Sequence, residues 1–278
     1  VDLNTYQANV EQVLKAITEK TKAIMLPNLI GNKPNWKSIK DHLKYLNRDD
    51  IYLVEDSADT ICTTHETDVS TTSFYASHII TAGGMGGMVM FNDIKHKNHA
   101  LMIRDWGRIG DNSESIDDRF NHKVDNIPYD YKFLYGALGY NMKCCEMSAA
   151  FGLVQLDKFD KFRGIRRKNI ERYLYNLKDL PEIILPDDSI KPNWMAIPLQ
   201  YEDRLGLLIF LEENNIQTRV TFAGNITRHP VYREYLQDFE FSDLIMKNGF
   251  LLGAHHGMDE TDVDYVCDKI KEYINTKK

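Results

Sequence analysis

Strand and helix patterns alternate through residues 10–91, and this alternation constrains the fold more than any other feature of the chain. Apolar residues recur at helical spacing from Val10 to Ile17 and again over 36–46, while KAIMLP reads as a short buried strand that ends at Pro27. Further strand patterns lie at 51–56, 69–75 and 87–91. Such alternation is typical of a parallel sheet with crossover helices, so we predict an α/β fold.

The second half of the chain is organised differently. A polar stretch of mixed charge from Arg104 to Tyr131 predicts a long, mostly irregular excursion. A long helix is predicted from Cys144 to Leu177, and three prolines follow between 181 and 192. We place a domain boundary near Leu180, which separates a large domain over 1–180 from a small α+β domain over 181–278. We find no internal repeat.

The later part of the predicted long helix is strongly basic. Its charged residues are Lys161, Arg163, Arg166, Arg167 and Lys168. A run of this kind forms a solvated helix face more often than a binding patch, so we favour the solvated face.

Composition excludes several classes of function. The 278 residues include 34 basic and 41 acidic side chains, for a net charge of −7, and this argues against a general nucleic-acid-binding face. Hydrophobic residues make up 43%, which argues against disorder, and no apolar run approaches the ~20 residues of a membrane span. We see no signal peptide, and four cysteines do not form a disulfide framework. We therefore expect free thiols and a cytoplasmic protein.

Two segments carry candidate chemistry. In VEDSAD (54–59), Asp56 and Asp59 follow a strand, where α/β sheets bind ligands, although a simple strand-to-loop cap is an equal alternative. In STTSFYASHIITAGGMGG (70–87), Ser73 and Ser77 could donate to a phosphate. His78 is the one ionisable imidazole there, and a lone histidine is more often structural.

Other motif searches give no site. The pairs Cys62/His65, His96/His99 and His255/His256 lack a second matching pair at zinc spacing, so we predict no metal site. The glycines of 83–87 form neither a dinucleotide-binding nor a phosphate-loop motif, and no nucleophile-elbow motif is present.

Three segments together resemble a known family. VEDSAD, DVSTTSFYASHIITAGGMGGMV and GYNMKCCEMSAAFG, in this order, are similar to the DegT/DnrJ/EryC1/StrS family of sugar aminotransferases. The resemblance covers essentially the whole chain and implies the type I fold of pyridoxal-phosphate (PLP) enzymes, with a partial large domain. At the position of His78, aminotransferases of this family have a lysine that attaches the cofactor. A histidine there, together with EDSAD and FAGNITRHPVY (222–232), resembles the sugar 3-dehydratase branch.

The resemblance implies a cofactor and a role for each site residue. Because imidazole cannot attach PLP covalently, the cofactor is expected to bind non-covalently and to work as pyridoxamine phosphate (PMP). His78 is implied as the base that moves the proton. Asp56 is implied to hold the pyridine nitrogen's proton, Asp59 to contact the ring hydroxyl or position His78, and Ser73 to bind the phosphate. Asn141 is implied to reach the cofactor phosphate of the opposite subunit. The resemblance therefore implies a homodimer in which both subunits contribute to each site.

Members of this branch differ in how they complete the reaction. The cysteines do not occupy the places of iron–sulfur ligands in the family, so we predict no cluster. The resemblance therefore implies the type of 3-dehydratase that works without a cluster, which uses glutamate as amino donor and acts on a nucleotide-linked 4-keto-6-deoxyhexose. The resemblance makes Arg219, Asn225 and Arg228 candidates for substrate binding. For the two arginines, the alternative that they are ordinary surface residues stays open.

Two departures from the family pattern leave alternatives open. The chain is expected to begin where the family's large domain is already under way, and the loop between Asp56 and His78 is shorter than usual. A non-catalytic fragment or partner subunit therefore stays an alternative, as does an ordinary sugar-nucleotide aminotransferase, which the absence of lysine at position 78 disfavours.

Overall fold

The computed structural model describes residues 1–62, 64–110 and 113–278. The helices of these parts are α1 (Val10–Lys15), α2 (Trp36–Tyr45), α3 (Ile94–Arg104), α4 (Ile116–Arg119), α5 (Glu146–Asp157), α6 (Phe159–Leu177), α7 (Arg204–Glu213), α8 (Glu240–Asn248) and α9 (Glu260–Thr276). The strands are β1 (Ala23–Pro27), β2 (Tyr52–Ser57), β3 (Val69–Ser73), β4 (Gly87–Phe91), β5 (His122–Val124), β6 (Ile127–Tyr129), β7 (Ala196–Gln200), β8 (Thr218–Val220) and β9 (Gly249–Gly253).

A four-stranded sheet in the order β1-β2-β3-β4 forms the first half of the fold. β1, β2 and β3 are parallel, which confirms the predicted parallel sheet, and β4 joins β3 in the antiparallel sense. Side chains of β2 alternate between faces, so that Leu53, Glu55 and Ser57 are buried while Asp56 is half-buried. One face of this sheet therefore carries a carboxylate into the interior.

A second sheet, in the order β7-β9-β8, is antiparallel throughout and lies in the C-terminal part. The helix α9 begins with a capping box in which Asp259 and Asp262 satisfy each other's backbone donors. The largest core cluster joins apolar residues of this part with Tyr6, Ile30 and residues of α6. The division at residue 180 stays a prediction, since this core draws on both sides of it.

The long helix predicted from 144 to 177 is two helices. The N–H of Lys158 bonds to the carbonyl of Gln155, three residues back, and the helical ladder is interrupted there. The first helix, α5, buries none of its residues, whereas α6 buries five, among them Ile170, Tyr173 and Leu177. Only the second of the two helices therefore contributes side chains to the core.

The excursion from 104 to 131 contains more structure than predicted. It holds α4 and the antiparallel hairpin of β5 and β6, and the helix α3, which the sequence patterns did not predict, leads into it. Asp111 and Asn112 lie in this excursion but outside the described residues. None of the helices in the described ranges has the length and apolar character to cross a bilayer.

Candidate functional site

The carboxyl ends of the parallel strands bring the candidate carboxylates together. Pro27 of β1 lies opposite Asp56 of β2, and Asp56 lies opposite Thr71 of β3. The Asp56 carboxylate accepts the Ala58 N–H at 3.1 Å and the Thr71 hydroxyl at 3.4 Å. Asp59 follows three residues later in the loop that leaves β2. The two carboxylates thus lie at the edge where parallel sheets bind ligands.

His78 lies beside Asp59. Its Nε2 is 3.9 Å from the Asp59 Oδ1, and the two side chains are 19% and 14% exposed. The other ring nitrogen, Nδ1, is buried and has no hydrogen-bond partner among the described residues. The ring also meets Tyr75 edge-on, with 5.9 Å between centroids. An imidazole held beside a carboxylate can take up and return a proton.

A strained turn fixes Asp59 from the other side. The N–H of Ile30 donates to the Asp59 Oδ2 at 2.8 Å, and Ile30 has a φ of 63°, which is rare for a β-branched residue. The next residue, Gly31, has a φ of 111°, and a Cβ there would lie 2.7 Å from the Asn193 carbonyl oxygen. Burial raises the pKa of the Asp59 carboxyl, against the lowering effects of the Ile30 N–H and His78. Strain held at such a place is often tied to function.

A buried polar cluster around Glu55 supports this edge, and the sequence patterns missed it. The Glu55 Oε1 accepts from the Asn28 amide at 2.6 Å and the Thr64 hydroxyl at 2.7 Å, and its Oε2 accepts from the Ser70 hydroxyl at 2.8 Å. Glu55 is 0% exposed. The strand alternation of β2 was the available signal, because it places residues 53, 55 and 57 on one face and Asp56 on the other.

The remaining predicted cofactor residues lie in different surroundings. Ser73 ends β3, and its hydroxyl accepts the Tyr75 N–H at 3.2 Å, close in the chain to His78. Asn141 is exposed and forms a backbone bridge with Asp105 on the 104–145 segment. The role of Asn141 toward a second subunit stays a prediction.

The three substrate-binding candidates separate into two groups. Arg219 lines a cavity of ≈ 860 Å³ that Ser77 also lines, so it lies near the His78 segment. Asn225 is buried and caps the short turn Ile226–Arg228. Arg228 forms ion pairs with Asp238 and with Asp243 of α8, and it holds the pKa of the Asp243 carboxyl well below its usual range. The substrate roles of all three stay predictions.

The basic run on α6 is not a uniformly solvated face. Arg163 is about half exposed, in agreement with that prediction, but Arg166 is 3% exposed. The prediction was wrong for Arg166 because helical periodicity places this residue on the same face as Ile170 and Tyr173, and charge alone does not show which face a helix buries.

Within the described residues, no group of three or more histidine, cysteine or acidic side chains is arranged to hold a metal ion. Cys62, Cys144, Cys145 and Cys267 are free thiols. The prediction that the protein binds no iron–sulfur cluster stays a prediction.

The sequence is also similar to those of known proteins. The sequence matches the DegT/DnrJ/EryC1/StrS aminotransferase family over residues 1–271. It is 32% identical to a dTDP-4-dehydro-2,6-dideoxy-D-glucose 3-dehydratase of Saccharopolyspora spinosa, over 99% of this chain and 64% of the relative. It is also 32% identical to the lipopolysaccharide biosynthesis protein RfbH of Salmonella typhimurium, over 99% of this chain and 68% of the relative.

A solved structure extends the comparison to three dimensions. The fold superposes on the Escherichia coli GDP-4-keto-6-deoxy-D-mannose-3-dehydratase with bound hydrated PLP, with a TM-score of 0.82 and 26% identity. The superposition covers 97% of this chain and 72% of that structure. The predicted fold class is confirmed, and the chain spans about two thirds of the length of the two curated relatives above.

Proposed function

Because the chain belongs to the DegT/DnrJ/EryC1/StrS aminotransferase family, we propose that it removes the C3 hydroxyl of a nucleotide-linked 4-keto-6-deoxyhexose with the help of PMP, in the synthesis of 3,6-dideoxysugars for surface polysaccharides. One observation carries the proposal: position 78, at the carboxylate edge of the sheet, holds an imidazole beside Asp59. Two of the similar proteins support the proposal, because each is named as a 3-dehydratase of a nucleotide-linked sugar.

The residues at this edge fit a pyridoxal-type cofactor. Asp56 supplies a carboxylate for a protonated ring nitrogen, and Ser73 supplies a hydroxyl at the end of β3 for a phosphate. His78 brings an imidazole to the same edge, with its Nε2 toward Asp59. In the proposed assembly, Asn141 of a second copy reaches the phosphate. When bound, such a cofactor supplies an electron sink for cleavage of bonds at the neighbouring carbons.

His78 is the proposed base. Its Nδ1 is covered by protein atoms, whereas Nε2 lies 3.9 Å from the Asp59 Oδ1. We propose Nε2 as the nitrogen that takes the proton from the reacting carbon. The same nitrogen then carries the proton that can assist departure of the C3 hydroxyl.

Asp59 is the proposed positioning residue for this base. The Ile30 N–H fixes one of its oxygens and leaves the other toward His78. Because Asp56 and Asp59 repel each other, a positive charge between or beside them is favoured, and both the imidazolium and a protonated ring nitrogen would supply one.

Further parts of the proposal concern partners. We propose glutamate as the amino donor that regenerates PMP, and a GDP-, CDP- or dTDP-linked sugar as substrate. We also propose a homodimer in the cytoplasm, which would provide a partner surface for α5, whose apolar residues Met147, Leu153 and Val154 are exposed.

The test is incubation of the protein with PLP, glutamate and each of the three nucleotide-linked 4-keto-6-deoxyhexoses, with the products followed by NMR. We expect one sugar to lose its C3 hydroxyl. His78→Asn should abolish this reaction, whereas His65→Asn, a matched change of an exposed histidine, should leave it unchanged. A product that carries an amino group at C4 would identify a sugar aminotransferase. Absence of cofactor binding and of all products would identify a non-catalytic chain.

A further inference from the structure

Cys144 and Cys145 are neighbouring thiols at the start of α5, and the proposed chemistry uses neither of them. Both side chains are exposed and both are free thiols. The other two cysteines lie in different surroundings, because Cys62 is half-buried and Cys267 is buried. Burial raises the pKa of the Cys62 thiol, and it raises the pKa of Cys267 to about 12, so these two stay protonated and react slowly. A dissolved oxidant is therefore expected to meet the exposed pair first.

The sulfur atoms of the pair are not tied into the rest of the fold. Cys145 is the residue that precedes the first turn of α5, yet its side chain makes no capping hydrogen bond to the described residues. The side chains that usually cap a helix at this position are those of serine, threonine, asparagine and aspartate. The Cys144 thiol donates to the Cys145 carbonyl at 3.4 Å, a contact within the pair. Both sulfur atoms are thus available for reaction without loss of a contact to another element.

Two exposed thiols next to each other form the arrangement of a redox-sensitive site, in which the second thiol resolves the oxidised form of the first. The described peptide bonds are trans, so the two Cα atoms lie about 3.8 Å apart. The Cα atoms of an ordinary disulfide lie roughly 4.4–6.8 Å apart. A disulfide between neighbours is therefore strained, and strained disulfides are the ones that are easily reduced again.

We infer that Cys144 and Cys145 form a modification site, which a hydroperoxide oxidises to a reversible disulfide within the chain. One thiol attacks the peroxide, so that an S–O bond forms, the O–O bond breaks and an alcohol or water leaves. This step oxidises the sulfur to a sulfenic acid and reduces the peroxide by two electrons. The second thiol then attacks the sulfenic sulfur, so that the S–S bond forms, the S–O bond breaks and water leaves. The pair loses two hydrogen atoms in total, and a thiol reductant returns them.

Closure of the disulfide must change the backbone where α5 begins. Cys145 has an extended backbone, with φ −70° and ψ 134°, and neighbouring side chains of an extended chain point to opposite sides. The Cys145 carbonyl also accepts the Ala149 N–H at 3.0 Å, the bond that starts the helix. Oxidation is therefore expected to loosen the first turn of α5. Asn141 lies three residues before Cys144, and any effect on its contact with a second copy rests on the proposed function, whereas the oxidation itself does not.

The experiment treats the full chain with hydrogen peroxide, blocks the remaining thiols with iodoacetamide and maps tryptic peptides by mass spectrometry. Cleavage after Lys143 and Lys158 releases residues 144–158, which hold both thiols of the pair and no other cysteine. We expect this peptide to lose the mass of two hydrogen atoms and to escape alkylation. Treatment with dithiothreitol before the blocking step should restore alkylation of both cysteines.

Single replacements separate the two steps. Cys144→Ser and Cys145→Ser each remove the resolving thiol, so the disulfide should be lost and dimedone should label the sulfenic acid of the remaining cysteine. Cys145→Ser introduces a good capping residue, so it should fold and it carries the test if Cys144→Ser does not. Cys62→Ser is the matched control, which keeps the pair and should form the disulfide as the unmodified chain does.

Three results would overturn the inference. The first is full alkylation of both cysteines after peroxide treatment. The second is a disulfide that joins two copies, seen as a doubled mass on a gel without reductant. The third is sulfenic or higher acids on the pair of the unmodified chain with no disulfide. Absence of sugar dehydration would refute the proposed function and leave each of these readouts unchanged.

Discussion

Replacement of Glu55 tests how the buried cluster holds the candidate site. Glu55→Ala removes the acceptor of three short hydrogen bonds, from Asn28, Thr64 and Ser70 at 2.6–2.8 Å. It also removes the acceptor of a longer one, from the Cys62 thiol at 3.8 Å. Hydrogen bonds to a charged group contribute about 1.5–3 kcal/mol each, and the release of a buried carboxylate offsets part of their sum. We expect a net loss of about 3–5 kcal/mol, the range found when one partner of a buried charged network is removed.

Glu55→Gln separates hydrogen bonding from charge. The glutamine carbonyl can still accept from Asn28 and Thr64, and its amide can donate to the Ser70 hydroxyl, which can turn to accept. The expected loss is therefore about 1 kcal/mol. Urea denaturation followed by fluorescence of the buried Trp36 and Trp194 gives both values. Glu19→Ala, at an exposed position, is the control and should change stability by less than about 0.5 kcal/mol. Equal effects of the two Glu55 replacements, or a small effect of alanine, would refute the cluster's supporting role.

Two further predictions concern Asp59 and the turn at Leu29–Gly31 that holds it. Folding raises the pKa of the Asp59 carboxyl, so the ionised form of Asp59 opposes folding. The protonated form stabilises the folded protein at pH values below the unfolded pKa of about 3.9. This stabilisation is lost as the pH rises through the pKa of the folded protein. Asp59→Asn should therefore be at least as stable as the unmodified chain at pH 7, and this gain in stability should disappear in acid, while turnover falls. Thermal melting at a series of pH values measures the direction of the stability change. A variant that is destabilised only at neutral pH would contradict the prediction. Gly31→Ala should destabilise by about 1–3 kcal/mol, because its φ of 111° is unfavourable for alanine and its Cβ would lie 2.7 Å from the Asn193 oxygen. Gly164→Ala, where no atom lies within 4 Å of the added Cβ, is the control and should not destabilise the chain, and equal melting temperatures for the two variants would disprove the close-packing argument.

Much of the first half could be predicted from sequence because its signals are local. The strand patterns at 51–56 and 69–75 correspond to β2 and β3, and the parallel arrangement follows from the alternation with helices. The antiparallel β4 could not be distinguished from a further parallel strand, because side-chain pattern does not encode strand direction. The helix α3 was missed because its apolar residues do not form one face, and none of them is buried.

The candidate site was predicted only in part, for a similar reason. Asp56, Asp59 and His78 lie near one another because strand ends converge, and the motif resemblance named them. Glu55 was not singled out and Arg166 was expected on a solvated face, because both are charged residues whose burial depends on which face of β2 or α6 packs inward. Ile30 could not be named either, because its contribution is a backbone N–H placed by a left-handed turn.

Borohydride reduction in the presence of PLP, followed by peptide mass mapping, tests the central claim most directly. We expect the peptide that contains His78 to stay unmodified in the native sequence, while the bound cofactor is lost on denaturation. His78→Lys should become covalently labelled at residue 78 and should lose dehydration. A stoichiometric covalent label on a lysine of the unmodified chain, or continued dehydration by His78→Lys, would contradict the role assigned to this imidazole.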